Sequence, residues 1–204
     1  MRHAINCGVL ALLSGGLLVA RATAQGTDPR LERLDQATRP VVVALVDSAR
    51  AAGLPVNPLV ERALEGATKG APGEVIAGAV RRLASDLGRA RAALGSGASA
   101  AELYAGASAL RAGASPDVLS RLRGARGHQS VTMALAVLTD LVARGVPVDT
   151  AATVVLALAA TARDDELLEF RRAVERDIAI GAPPAAAASI RVNAAIRGVR
   201  PGRP

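Results

Sequence analysis

The strongest constraint on this chain is a short punctuation that recurs between apolar stretches of helical period. Gly53-Leu54-Pro55-Val56-Asn57 is echoed by Gly113-Ala114-Ser115-Pro116-Asp117 and by Gly145-Val146-Pro147-Val148-Asp149. Gly70-Ala71-Pro72, Gly97-Ala98-Ser99 and Gly181-Ala182-Pro183 follow it more loosely. In each, glycine can close one helix in the left-handed conformation, an apolar or small residue can pack the corner, and Pro, Ser, Asn or Asp can open the next helix. A chain cut this way turns back on itself every few helical turns. It is thereby confined to helix-to-helix connections.

The intervals support that reading. Ile76, Val80, Leu83, Leu87, Ala90 and Leu94 advance in steps of three and four, which predicts one buried stripe over residues 72 to 94. Ser99 and Glu102 have the spacing of a capping box, in which hydroxyl and carboxylate satisfy each other's free backbone donors. Leu103, Ala107 and Leu110 then face inward. Asp28-Pro29 opens a short helix to about Thr38, and a second helix runs from Pro40 to Ala52. Further helices are expected from Ser115, from His128 to Arg144, from Asp149 to about Thr161, from Asp164 as N-cap, and from Pro184 to Arg197. The corner glycines 113, 145 and 181 lie 32 and 36 residues apart, close to the length of a helix-turn-helix repeat.

The expected fold class is all-α: nine or ten helices in stacked hairpins, as a short α-solenoid or a compact helical-repeat bundle. No tetratricopeptide or ankyrin signature accompanies the spacing. Composition says how such a chain packs. Its 46 alanines and only two aromatic residues let helices approach closely, yet each alanine contributes only about 0.8 kcal/mol per buried carbon. Stability is expected to come from many Leu, Val and Ile contacts.

The N-terminal segment has a different logic. Arg2 and His3 precede an apolar run from Ile5 to Ala20, followed by Ala20-Arg21-Ala22-Thr23-Ala24 with two overlapping small-residue cleavage sites. Residues 1-24 are expected to be a secretory signal peptide, cut after Ala24 with Ala22 and Ala24 as the small recognition residues and Gln25 the first mature residue. The alternative is an uncleaved anchor in the inner membrane. Against it, the run falls short of the roughly 20 apolar residues a span requires and is broken by Gly15-Gly16. The remaining organisation is one helical repeat domain over residues 25-198 and a basic tail over 199-204. Cleavage removes Cys7, the only cysteine, and with it any disulfide or thiolate chemistry. No transmembrane span is expected in the mature chain, which is assigned to the periplasm or the extracellular space.

Charge distributes unevenly. Without Arg2 and Arg21 the chain keeps 23 basic and 18 acidic residues, a net +5. Residues 182 to 204 carry Arg191, Arg197, Arg200 and Arg203 against no acid, whereas residues 163 to 181 set six acids against four arginines. Nucleic acid is not an expected partner, because the chain is exported and lacks the aromatics on which bases stack.

Few residues offer chemistry. His128 is the only histidine of the mature chain, and a hydrolytic triad would have to combine it with Ser130 and Asp140, with no nucleophile elbow around any serine. The acidic group Asp164, Asp165, Glu166 and Glu169 lacks the spacing of a calcium loop and is read as helix-opening charge. No catalytic residue, metal or cofactor is assigned. The one positive hint is Arg121, Arg123, Arg126 and His128 around Gly124 and Gly127, where forked donors beside a helix start could cradle a phosphate, sulfate or carboxylate. The expected function is a non-enzymatic protein-interaction or scaffold module with a protein partner in the cell envelope. The alternative is an electrostatic binder of anionic lipid or envelope polymer through that arginine corner and the tail.

Overall fold

The computed structural model describes residues 28–198; the segment expected to be a signal peptide, with its expected cleavage site, and the basic tail lie outside the described residues. A 3-10 helix, Pro29–Arg33, is followed by nine α-helices: α1 (Thr38–Ala51), α2 (Asn57–Thr68), α3 (Gly73–Leu94), α4 (Ala100–Arg111), α5 (Pro116–Arg126), α6 (Thr132–Ala143), α7 (Val148–Ala159), α8 (Asp164–Ala179) and α9 (Pro184–Gly198). No strand occurs among the described residues.

The corners form for the reason the sequence suggests. At Gly113 and Gly145 the backbone adopts φ of 102° and 87°, and the following residue donates back into the helix just ended. Ala114 N bonds to the Ala109 carbonyl and Val146 N to the Leu141 carbonyl, each at 3.0 Å. Both are Schellman closures. Ser99 and Glu102 make the expected capping box, and Ser115 Oγ accepts from Val118 N at the start of α5.

Five boundaries differ from expectation. α7 starts at Val148 with Pro147 in the cap position, so Asp149 is its second residue rather than its start. The corner before α4 turns at Gly95, with φ of 89°, rather than at Gly97. Residues 128 to 131 form a turn, and α6 begins at Thr132. Asp164 is the first residue of α8 and Arg163 occupies the cap position. Near the N-terminus, Asp28 caps only a 3-10 turn, and α1 starts at Thr38 with Pro40 in its first turn, where a missing N–H costs nothing.

The helices stack in two layers. α4, α6 and α8 lie side by side in one, α5, α7 and α9 in the other, with α6 on α7 and α8 on α9 joining the layers. α4 begins at 100, α6 at 132 and α8 at 164, so the first layer repeats every 32 residues. α5 and α7 keep the same offset, and α9 falls four residues later because α8 has 16 residues where α4 and α6 have 12. Leu103, Leu135 and Leu167, each 32 residues from the last, are all buried. The N-terminal part departs from the repeat. The 22-residue α3 packs against both α4 and α5, and α1 and α2 close its other side.

All six residues of the α3 stripe are buried, and helix approach at one point is limited by hydrogen. A Cβ at Gly106 of α4 would lie 3.0 Å from Ala90 Cβ, 3.1 Å from Leu94 Cδ1 and 3.2 Å from Leu119 Cδ2. Leu83→Ala and Leu135→Ala should each destabilise the fold by about 2–5 kcal/mol through lost burial and the cavity left behind. Gly106→Ala should cost about 1–3 kcal/mol by overpacking, despite alanine's better helix propensity. Urea unfolding checks all three; a loss below about 1 kcal/mol at Leu83 or Leu135, against the usual large-to-small cost, would contradict the packing described.

Candidate functional site

Among the described residues, the charged groups drawn into the interior, Glu102 and Arg126, lie around the end of α5 and the turn that follows. This corner contains two of the arginines singled out by the sequence, together with partners distant in the chain. Glu102, in the first turn of α4, is buried. Its Oε1 accepts from Arg123 Nη2 at 2.5 Å and from Val131 N at 3.1 Å, and its Oε2 accepts from Ser99 N at 2.8 Å. One carboxylate therefore joins the starts of α4 and α6 to the last turn of α5. Arg123 also donates through Nη1 to the Gln129 carbonyl at 3.1 Å.

Arg126 is more deeply enclosed, its side chain 2% exposed. Nε donates to the Ser130 carbonyl at 2.8 Å, Nη1 to the Ala162 carbonyl at 3.1 Å and Nη2 to Asp164 Oδ1 at 2.5 Å. All three nitrogens of the guanidinium have a partner, as a buried arginine requires. The fork reaches from α5 across the turn to the first residue of α8.

The carboxylates that these two arginines hold are the chain's own. Arg121 and His128 stand apart from them: Arg121 is exposed, 3.9 Å from Asp117 on its own helix, and His128 is exposed in the turn after Gly127. The two other members of the hypothetical triad are engaged elsewhere. Ser130 Oγ bonds Thr132 Oγ1 at 3.0 Å, and Asp140 pairs with Arg171 of α8. The acidic group at the start of α8 is also divided. Asp164 serves Arg126, Asp165 lies 3.5 Å from Arg163, and Glu166 accepts from Arg163 N at 2.7 Å. Among the described residues no group of three or more His, Cys, Asp or Glu side chains could hold a metal ion. No helix there is long and apolar enough to cross a membrane.

Two surface features carried no signal in sequence. A groove of about 390 Å³ between α4 and α6 is lined by Ala101, Tyr104, Ala105, Thr132, Ala136 and Thr139 among others, with Tyr104 42% exposed. A second, of about 530 Å³, runs between α8 and α9 and includes Phe170, Arg172 and Arg176. Each arises from where the helices lie relative to one another, which periodicity within one helix does not encode. No protein-family model, curated protein or solved structure matches the chain.

Burial by itself pushes the Glu102 carboxyl up, but the hydrogen bonds from Ser99, Arg123 and Val131 outweigh it and hold the group down to about 2. A carboxyl lowered on folding contributes stability above its unfolded value, and that contribution is lost as pH falls toward the folded one. Wild type should therefore lose stability between about pH 4.5 and pH 2 more steeply than Glu102→Gln. At neutral pH the variant should be less stable by about 1–3 kcal/mol. Parallel acid slopes for the two proteins in urea titrations would contradict the role given to this carboxylate.

Proposed function

We propose that the protein is an exported, non-enzymatic helical-repeat module that presents a surface to a protein partner in the cell envelope. The observation that carries this reading is the groove between α4 and α6. Its walls are mostly alanine and threonine, with Ser108 and Asp140 beside them, and its prominent side chain is the chain's only tyrosine. Tyrosine combines a large apolar face with a hydroxyl and orders few torsions, which is why it is enriched where proteins meet. The floor is rigid, since α4 and α6 are fastened at their starts by Glu102. Ala101 and Tyr104 are exposed on one rim, and Thr139 lies on the facing helix.

Capture of anionic lipid or polymer at the arginine corner has less in its favour. It would have to compete with Glu102 for Arg123, and with Asp164 and two carbonyls for Arg126.

A photoreactive amino acid in place of Tyr104 tests the proposal in native envelope fractions. One discrete protein should crosslink, survive high-salt washing before irradiation, and be lost when Ala101→Arg fills the rim of the groove. Adducts confined to lipid or polymer and removed by salt would contradict it. So would crosslinking that Ala101→Arg leaves unchanged.

A further inference from the structure

The groove between α8 and α9 has a property independent of the α4–α6 surface: its charges are complementary to themselves. The 32-residue offset identifies what this face is. Glu169, Phe170 and Ala173 of α8 correspond to Val137, Leu138 and Leu141 of α6, all fully buried. Arg172 and Arg176 correspond to Asp140 of α6 and to Arg144 just after it, and both of those are paired across the layer, Asp140 with Arg171 and Arg144 with Glu175 of α8. Phe170, at the repeat position of Gly106 and Leu138, is buried, but the edge of α6 that pairs with the next helix of its layer is repeated on α8 as Arg172 and Arg176. There, no further helix covers it among the described residues. Arg171, which meets α6, and Ala173, which lines the groove, are about 200° apart on the helix, so the two faces are nearly opposite.

On the uncovered face Glu169, Arg172 and Arg176 are exposed and have no ion-pair partner among the described residues. Glu166 uses Oε2 on Arg163, accepting from its backbone N at 2.7 Å and lying 3.8 Å from its Nε, and leaves Oε1 without a partner among the described residues. Their order along the helix is acid, acid, base, base: Glu166 and Glu169 in the first half, Arg172 and Arg176 in the second. Residues 166 and 176 are centred on 171, and residues 169 and 172 half a position before it. Two copies of α8 laid antiparallel about that point would set Glu169 against the other copy's Arg172 and Glu166 against its Arg176. Ala173, half-buried near the centre, would lie at the seam, while Phe170 is itself buried in the core beneath it. A two-fold interface must be self-complementary in this way. Parallel stacking would instead oppose like charges.

We propose that the exposed edge of α8 is a homodimer interface whose occupant is α8 of a second copy of this chain, held antiparallel about the middle of the helix by reciprocal Glu169–Arg172 and Glu166–Arg176 pairs. Glu169 and Arg172 are exposed in the single chain, so reversing either leaves the fold intact. Each reversal places like charges opposite one another twice in the dimer.

Sedimentation velocity over a micromolar concentration series tests this with the full mature chain. Wild type should dimerise. Glu169→Arg and Arg172→Glu should each weaken self-association by about tenfold or more, with unchanged far-ultraviolet circular dichroism. An equimolar mixture of the two variants should recover the dimer, because each then supplies the charge the other lacks. A wild type that stays monomeric throughout would overturn the proposal. So would variants that dimerise like wild type, or a mixture that stays monomeric.

Discussion

The structure depends on a pair of charged clasps at the end of α5. Glu102 accepts from backbone or side chain at the starts of α4 and α6 and at the last turn of α5, and Arg126 extends the link to the start of α8. Helices rich in alanine bury little area each and can slide against one another at small cost. A carboxylate with three donors and a guanidinium with three acceptors tolerate no such sliding. Leaving one of these groups unpaired inside the protein costs about 1–3 kcal/mol, more for a charge. The clasps therefore fix the relative position of the helix starts, which is what turns a 32-residue spacing in sequence into a 32-residue spacing in space.

With the starts fixed, side-chain size decides what each face does. At the same position of the repeat, α4 carries Gly106, α6 Leu138 and α8 Phe170. The glycine admits α3 and α5 to close contact, the leucine fills the centre of the stack, and the phenylalanine lines an open groove. Charge follows the same gradient: the edge of α6 is paired within the chain, and Arg172 and Arg176 on the matching edge of α8 have no ion-pair partner among the described residues.

Much of this was legible from residues alone. The corners at Gly53, Gly70, Gly113, Gly145 and Gly181 all fall at backbone positions with positive φ, because a left-handed helix stop is a local demand that sequence states locally. The capping box at Ser99 and the stripe on α3 were legible for the same reason. Gly97 was misread for Gly95 because two glycines lay within one turn and only packing chooses between them. The sequence suggests an arginine corner open to a phosphate, sulfate or carboxylate, whereas Arg123 and Arg126 hold the chain's own carboxylates from residues 21 and 38 positions away. Helical period assigns a residue to a face and says nothing about which distant group meets it. Asp164 illustrates the same limit, since a cap and a clasp have one sequence signature.

The central claim is that the clasps, beyond apolar packing, join the hairpins into one unit. Native-state amide hydrogen exchange of the full chain beside its Arg126→Met variant tests it most directly. In wild type, the interior amides of α4 to α9 should open together, with a common free energy. In the variant, α8 and α9 should open at lower free energy, by about 1–3 kcal/mol for the lost pair and the orphaned carbonyls, while α1 to α3 keep their protection. Equal protection of α8 and α9 in both proteins would mean that packing alone joins the stack, and would contradict the claim.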